Sequence, residues 1–186
     1  MAQKDNQRVR LTKMLLKNSL IKLMDNKSIN QITIKELCEE AGLNRSTFYL
    51  HYTDQFALLE DIEQELMKNT HEYLKNISSS SDSLSFVVGL LEYIKEIDSL
   101  YRILCCRQEN FEFQVQFMDS AMKNMSKNKF LNHPVKNKKY VYCFLMQGCC
   151  QMIREWVLSG YDISSKQMAR LLLRLSEKTF EVFNTQ

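Results

Sequence analysis

Four consecutive side chains carry short or planar groups that can both approach a ligand closely and hydrogen-bond to it. They are Asn44, Arg45, Ser46 and Thr47. Groups of this kind can reach base edges or phosphates in the major groove of a DNA duplex. Tyr49 and His51 follow within four residues and can meet phosphates. The chemistry that these residue types favour is nucleic-acid recognition, presented from the start of a short helix.

The segment before them has the pattern of an amphipathic helix. Its apolar side chains recur at the i, i+3, i+4 and i+7 spacing of one buried face. These side chains are Ile34, Leu37, Cys38 and Ala41. Thr33 can cap this helix, and Glu36 three residues later would complete a capping box.

A glycine turn and two further caps follow. Gly42 accepts a positive φ without steric cost, and Asn44 can cap a short helix that ends near residue 50. Asp54 can cap a long helix from about 55 to 76. Phe48 and Tyr52 lie four residues apart and would pin the short helix to a core. This order predicts a helix-turn-helix, whereas a capped helical hairpin in an ordinary bundle is the alternative on pattern alone.

Composition predicts an all-α chain. Of 186 residues only 4 are glycine and 1 is proline, whereas sheet proteins need turns that use both. Amphipathic patterns fill the chain, with connections at 78–83 and 127–139. They predict helices at 8–25, 34–41, 45–50, 55–76, 83–97, 99–106, 110–127, 138–159 and 164–183. We expect two domains, a DNA-binding head at 1–53 and a helical body at 54–186.

Charge is distributed unevenly between these two parts. Residues 1–53 hold nine Lys and Arg against five Asp and Glu, and the remainder is close to neutral. A basic head on a near-neutral body suits a phosphate-binding module, and a solvated surface that happens to be basic is the alternative.

The last two predicted helices, about 138–159 and 164–183, are apolar on two faces. A helix of this kind can pack inward on one face and against a second copy on the other, which predicts a homodimer. A membrane span at 140–159 is disfavoured, because Gln147, Gln151, Arg154 and Glu155 would be costly in lipid. The polar N-terminus lacks the pattern of a signal peptide, so we expect a cytoplasmic protein without a membrane partner.

The remaining candidate chemistry points away from catalysis and cofactors. The six cysteines include no Cys-x-x-Cys pair, so we expect reduced thiols that fill the core, with a thiol sensor as the alternative. No nucleophile elbow, Gly-rich phosphate loop, metal-ligand spacing or catalytic carboxylate pair is evident. The predictions are therefore no enzyme, no cofactor and no metal, with a helical interaction module as a further alternative.

Residues 9–62 resemble the tetracycline-repressor (TetR) family of one-component regulators. The matching segments are 32–43, 46–52 and Leu58–Leu59, including the aromatic-x-His-aromatic ending at 49–52. The resemblance implies three N-terminal helices for DNA and a connecting fourth helix. It also implies a helical body that dimerises through its last two long helices, and repression as the default. One departure is Gln55, because the family usually has lysine at the start of the fourth helix.

Carried over by position, the resemblance implies a role for each polar residue of the head. Thr33 and Lys35 should touch the DNA backbone or a groove edge. Arg45, Ser46 and Thr47, capped by Asn44, should face bases, and Tyr49 and His51 should hold phosphates. Arg45 is the best candidate for direct readout, because its fork matches guanine O6 and N7. At Gln55 one phosphate contact is in doubt, although backbone N–H groups of that helix could replace it.

The resemblance also implies an effector pocket in the helical body. Side chains permissive for an apolar cavity are Phe86, Tyr93, Tyr101, Phe111, Phe113, Phe117, Met118, Met122, Tyr142 and Met146. Filling a core is the alternative for each of them. Few charges fall among these positions, so the expected effector is small and apolar or aromatic. The expected protein is thus a repressor that binds a palindromic operator as a dimer and is released by such a molecule.

Overall fold

The fold is described from a computed structural model, which covers the backbone of residues 2–78, 82–106, 111–125 and 138–184. For residues 2–6, 77–78, 111, 122–125, 138 and 182–184 the structure describes the backbone alone. Throughout the described residues the regular elements are helices, and no strand is found. The prediction of an all-α chain is confirmed.

The helices are numbered in chain order. They are α1 (Ala2–Met24), α2 (Ile34–Ala41), α3 (Arg45–Tyr49), α4 (Gln55–Ser78), α5 (Ser83–Glu96), α6 (Asp98–Cys105), α7 (Phe111–Met125), α8 (Lys138–Leu158) and α9 (Ser165–Asn184). Most bounds lie within two residues of the predicted ones. Residues 127–137 of the predicted connection at 127–139 lie outside the described residues. So do residues 79–81 of the predicted connection at 78–83.

Two features near the N-terminus differ from the prediction. α1 begins at Ala2 instead of near residue 8, because the polar start of the helix has no apolar period to reveal it. The predicted break after α1 contains a 3-10 helix, Ile29–Gln31. Ser28 caps this helix, and the side chain of Gln31 accepts from the Ser28 N–H at 3.2 Å, which completes a capping box.

The chain divides into two compact units, Met1–Leu66 and Met67–Gln186, and the division falls inside α4. The first unit packs α1, α2, α3 and the start of α4 around an apolar core. Leu16, Leu20, Leu37, Phe48 and Leu58 are fully buried there. Burying a side chain of this size stabilises the fold by about 1.5–3 kcal/mol relative to leaving it exposed.

The second unit packs α5 to α9 around larger side chains. Tyr101 on α6 meets Phe117 on α7 edge-on at 5.6 Å, and both rings are fully buried. Arg102 and Arg154 tie α6 to α8 in both directions. The Arg102 Nη2 group donates to the Val157 carbonyl at 2.6 Å, and the Arg154 Nε group donates to the Cys106 carbonyl at 2.8 Å.

The turn between α8 and α9 is held by aromatic side chains. Gly160 and Tyr161 adopt φ angles of 72° and 63°, and Tyr161 is the one non-glycine residue with positive φ in the described chain. The Tyr161 hydroxyl donates to Asp98 on α6. The Trp156 indole N–H donates to the Ile163 carbonyl at 2.7 Å. These bonds offset the cost of a left-handed tyrosine, about 1–3 kcal/mol.

The six cysteines form no disulfide, and most of them lie in the core. Cys38, Cys105, Cys106 and Cys150 are buried, Cys149 is half-buried and Cys143 is exposed. Burial raises the pKa of Cys106 to about 11 and that of Cys150 to about 12. These two thiols therefore stay protonated at neutral pH, which disfavours the reactivity of a sensor thiol. Only Cys143 departs clearly from the expected core position.

Candidate nucleic-acid interface

The turn between α2 and α3 is built by a glycine. Gly42 has φ 65° and ψ 31°, and its N–H donates to the carbonyls of Cys38 and Glu39. A side chain in this left-handed conformation would be strained, whereas glycine adopts it freely. α2 therefore ends at Ala41, and α3 begins three residues after the turn. The predicted helix-turn-helix order is the order that the structure has.

Asn44 organises the start of α3. Its Oδ1 atom accepts from the Thr47 N–H at 2.9 Å, which caps the helix. The same oxygen accepts from the hydroxyls of Ser46 and Thr47, each at 2.7 Å. Both hydroxyl hydrogens are thus directed to the cap, while the hydroxyl oxygens keep lone pairs that can accept from base amino groups.

Arg45 and Tyr49 extend from the exposed side of α3. Both are exposed, one helical turn apart. Among the described residues, no carboxylate lies within ion-pair distance of Arg45. Opposite them, Phe48 is fully buried, and its ring lies 5.9 Å from that of Tyr52, as the four-residue spacing predicted. His51, beside Tyr52, is half-buried.

The start of α2 holds Thr33 and Lys35 at the surface. Thr33 caps the helix by accepting from the Glu36 N–H at 3.2 Å, and Glu36 accepts from the Thr33 N–H at 3.0 Å. Glu36 also accepts from Lys27 at 2.5 Å. The hydrogen bonds from Lys27 and Thr33 lower the pKa of Glu36 to about 2. Lys35 is exposed and lies 3.8 Å from Glu39, a weak pair that DNA phosphates could replace.

A cluster of polar side chains that the sequence did not predict anchors the segment after α3 to α1 and α4. The Tyr52 hydroxyl donates to Asp61 on α4 at 2.6 Å, and Lys17 on α1 pairs with Asp61 at 3.0 Å and with Glu65 at 2.6 Å. Burial raises the pKa of Asp61, but the hydrogen bonds from Tyr52 and Lys17 outweigh it, so the net shift is downward. Lys13 lies 3.5 Å from Asp61 and 5.2 Å from the centre of the Tyr52 ring. The sequence contains a signal for this cluster. Lys13 and Lys17 lie four residues apart on α1, and Asp61 and Glu65 lie four residues apart on α4.

The N-terminus of α4 is occupied by a carboxylate. The Asp54 Oδ1 atom accepts from the Ala57 N–H at 2.8 Å, so Asp54 caps the helix as predicted. Gln55 follows it and is half-buried. A phosphate approaching this helix end would meet the negative charge of Asp54 as well as the remaining backbone N–H groups.

The second unit contains an apolar cavity of about 50 Å³ between α5, α7, α8 and α9. Phe86, Met118, Tyr142 and Met146 line it, as the sequence suggested. Other predicted residues lie elsewhere: Tyr93 stacks on Tyr73 at 4.5 Å, Tyr101 and Phe117 pair in the core, and Phe113 is buried outside the lining. The side chains of Phe111 and Met122 lie outside the described residues.

Residues that the sequence did not single out complete the cavity wall. They are Val87, Leu90, Leu145, Cys149, Ile153, Leu172, Leu173, Ser176 and Phe180. Four of them belong to α9. The packing of α9 against α5 and α8 places these side chains at the cavity, and the sequence alone does not predict this packing. The Tyr142 hydroxyl donates to Asp119 at 2.7 Å, so its polar end is already bonded.

Among the described residues, no group of three or more His, Cys, Asp or Glu side chains is arranged to hold a metal ion. None of the described helices is both long and apolar enough to cross a membrane.

A family model matches more than half of the chain. The match covers residues 81–178 and is to TetR_C_8, the C-terminal region of transcriptional regulators. The match lies within the second unit, whereas the helix-turn-helix lies in the first.

Curated relatives are also transcriptional regulators. The chain is 22% identical over 173 residues to the dhaKLM operon transcriptional activator DhaS of Lactococcus lactis, covering 88% of this chain and 89% of that protein. It is 28% identical over 98 residues to the HTH-type transcriptional regulator YxbF of Bacillus subtilis, covering 50% of this chain. The matched part is 26% of the length of YxbF.

Solved structures share the fold. A TetR transcriptional regulator from Streptococcus agalactiae superposes with a TM-score of 0.76 at 16% identity, covering 95% of this chain and 99% of that one. FadR from Bacillus subtilis, solved with stearoyl-CoA, superposes with a TM-score of 0.63 at 14% identity, covering 88% and 96%. The family model, the helix-turn-helix and the shared fold agree, and the chain belongs to the TetR family of transcriptional regulators.

Proposed function

We propose that this protein is a sequence-specific DNA-binding repressor whose α3 enters the major groove of its operator in the cytoplasm. The observation that carries the proposal is the exposed side of α3. Arg45 is exposed there without an acidic partner among the described residues, and Asn44 holds Ser46 and Thr47 beside it. A planar donor fork flanked by acceptor oxygens suits the mixed hydrogen-bonding pattern of base edges.

The other head residues would position α3 rather than read sequence. Tyr49 and His51 on one side, and Thr33 and Lys35 on the other, can bind phosphates along both edges of the groove. We assign residues 1–53 to DNA binding. Residues 54–186 would carry the dimer surface and the effector cavity.

A palindromic operator follows from a two-fold dimer. α8 and α9 leave large apolar side chains exposed, with Tyr140 at 72%, Phe144 at 67% and Leu175 at 49%. A second copy packed on this surface would remove them from water. Its two-fold axis would then set two copies of α3 on successive half-sites, about one helical turn apart or more.

Selection of bound sequences from a random duplex pool tests the DNA-binding proposal. We expect an inverted repeat, and retardation of that duplex with a stoichiometry of two chains. The double variant Arg45→Ala and His51→Ala should lose retardation. The matched control Lys166→Ala removes an exposed cation from the second unit and should bind like wild type. A pool that yields no enriched sequence would overturn the proposal.

The cavity supports release by a small apolar or aromatic effector. Its lining is almost entirely apolar, and its 50 Å³ is below the roughly 300–1,000 Å³ of ordinary ligand sites. A ligand must therefore be small or must move the flexible Met118 and Met146 side chains. If the ligand-bound form has lower affinity for the operator, binding shifts the population away from DNA.

A thermal-shift screen with small aromatic probes such as indole tests this mechanism. Probes that raise the melting temperature should weaken operator binding. The variant Ser176→Leu fills part of the cavity and should abolish both effects. Stabilising probes that leave operator affinity unchanged would contradict release by an effector bound in the cavity.

Activation is the second candidate. DhaS, similar over most of both chains, is described as an activator. A reporter gene behind the selected operator separates the two functions. Repression predicts higher expression without this protein, and activation predicts lower expression.

A further inference from the structure

Leu50 is an apolar side chain in an otherwise polar surface. It is 81% exposed, the highest value among the exposed large hydrophobic residues of the described chain. It caps the C-terminus of α3 in a right-handed helical conformation, and its N–H donates to the Ser46 carbonyl at 3.2 Å. It therefore continues the helical spacing of α3 by one residue.

That spacing places Leu50 on the side of α3 that carries the candidate base contacts. Residues three and four apart share a helix face, so Leu50 lies one turn beyond Ser46 and next to Tyr49. The opposite side is committed to the core by Phe48 and Tyr52. Helical side chains also lean toward the N-terminus, which directs Leu50 back along the face of Ser46.

We infer that Leu50 recognises the C5-methyl group of a thymine in the major groove, at one fixed position of each half-site. This inference rests on the proposed function. The major groove offers donors, acceptors and one apolar feature, the thymine methyl group. Leucine has no hydrogen-bonding group, so the methyl group is the one base-edge feature that it can complement. The exposed face of α3 would then read hydrogen-bonding atoms through Arg45 and a methyl group through Leu50.

Replacing each thymine of the selected operator by deoxyuridine, in both half-sites together, tests the inference. Deoxyuridine keeps base pairing and removes only the methyl group. We expect one position at which wild type binds about fourfold more weakly for each half-site, the effect of losing one buried methyl or methylene group. The same position should be insensitive to deoxyuridine in Leu50→Ala.

Leu11→Ala is the matched control, because Leu11 is a 53% exposed leucine of α1 in the same unit. It should keep the wild-type sensitivity to deoxyuridine. A parallel series with 5-methylcytosine in place of cytosine distinguishes the other source of the same methyl group. If 5-methylcytosine changes the affinity of wild type and no deoxyuridine substitution does, the recognition of thymine is overturned.

The outcomes separate this inference from the proposal on which it rests. Wild type that binds its operator without any deoxyuridine-sensitive position overturns the role of Leu50 alone. The same holds if Leu50→Ala is as sensitive as wild type. If wild type binds no duplex, the proposed function fails and this inference fails with it.

Discussion

Asn44 illustrates how a capping residue can also organise the proposed DNA-binding surface of α3. One oxygen accepts the helix N–H of Thr47 and both neighbouring hydroxyls, so three groups are ordered by a single side chain. Ordering these groups before binding lowers the conformational entropy lost on contact with DNA. Arg45 lies between Asn44 and Ser46 and makes no ion pair within the described chain, so its guanidinium is available for the base contact proposed above.

Arg45 and His51 should therefore respond differently to mutation. Arg45→Ala should cost about 1–3 kcal/mol per half-site and relax base preference at one position. His51→Ala, like Tyr49→Phe, should weaken binding to all sequences about equally, because phosphate contacts carry no base information. Affinities for the operator and for single-base mismatches measure both effects. An even loss across cognate and mismatched operators for Arg45→Ala would contradict direct readout.

Glu36 makes the stability of the DNA-binding head depend on pH in the acidic range. Its pKa falls from 4.5 to about 2 on folding, through hydrogen bonds from Lys27 and Thr33. Above pH 4.5 the carboxylate is ionised in both states, and its stabilising contribution is fully present. Between pH 4.5 and 2 the unfolded chain binds the proton first, so the free energy of unfolding decreases over this window.

Glu36→Gln should flatten this part of the acid dependence, since glutamine can still complete a capping box but does not titrate. Urea unfolding at several values between pH 2 and 6 measures the slope. Glu39→Gln is the matched control on the same helix and should retain the wild-type slope. Equal slopes for wild type and Glu36→Gln would contradict the assignment.

At the scale of elements, the N-terminus of α4 combines two features with opposite effects on the phosphate contact proposed there. Its N-terminus offers backbone N–H groups, which favour a phosphate. The Asp54 carboxylate already accepts the Ala57 N–H there, and Gln55 adds no positive charge. This helix end is therefore a weaker anion site than its geometry alone would make it.

Two substitutions at the start of α4 should strengthen DNA binding without changing specificity. Asp54→Asn keeps a good cap and removes the negative charge. Gln55→Lys adds a cation and should steepen the dependence of log K on log salt by about one for each half-site. Titrations at several salt concentrations measure both. Asp162→Asn, an exposed aspartate of the second unit, should have no effect. Unchanged affinity for both variants would exclude a phosphate contact at this helix end.

At the scale of the whole molecule, the described residues of α8 and α9 leave several large apolar side chains exposed. Leu171 is 43% exposed and lines two shallow grooves, one along α9 and one beside Gln151 and Glu155 of α8. Charged side chains such as Arg174 and Lys178 border the same surface. An apolar centre with a charged rim is the usual anatomy of a protein interface.

Leu171→Glu should therefore separate the proposed dimer. Wild type should have twice the chain mass of 22.0 kDa by light scattering at micromolar concentration, and the variant should have the monomer mass. The variant should also bind the palindrome more weakly, because each chain then binds one half-site alone. Leu11→Glu is the control for the mass measurement, since Leu11 on α1 is 53% exposed, and it should keep the mass of the dimer. A monomeric wild type that binds a palindrome tightly would contradict the proposed dimer.

Local sequence determined the elements of this protein and the order of its candidate DNA site. The caps at Thr33, Asn44 and Asp54 and the turn at Gly42 follow from hydrogen bonds within three residues and from one backbone conformation, so residue type and spacing suffice to predict them. The pattern failed where no period marks a helix, at the polar start of α1 and at the 3-10 helix Ile29–Gln31.

Only the tertiary structure decided which distant side chains meet. Tyr52, in the connection after α3, bonds to Asp61 on α4, and Phe86 and Met146 line a cavity whereas Tyr101 and Phe117 fill a core. Asp61 aside, all of these are apolar or aromatic residues, and their spacing along the chain does not distinguish them. Helical period fixes the face of each helix but not the neighbour that the face meets. That neighbour is set by how the helices pack, and the packing depends on the shapes of all buried side chains together.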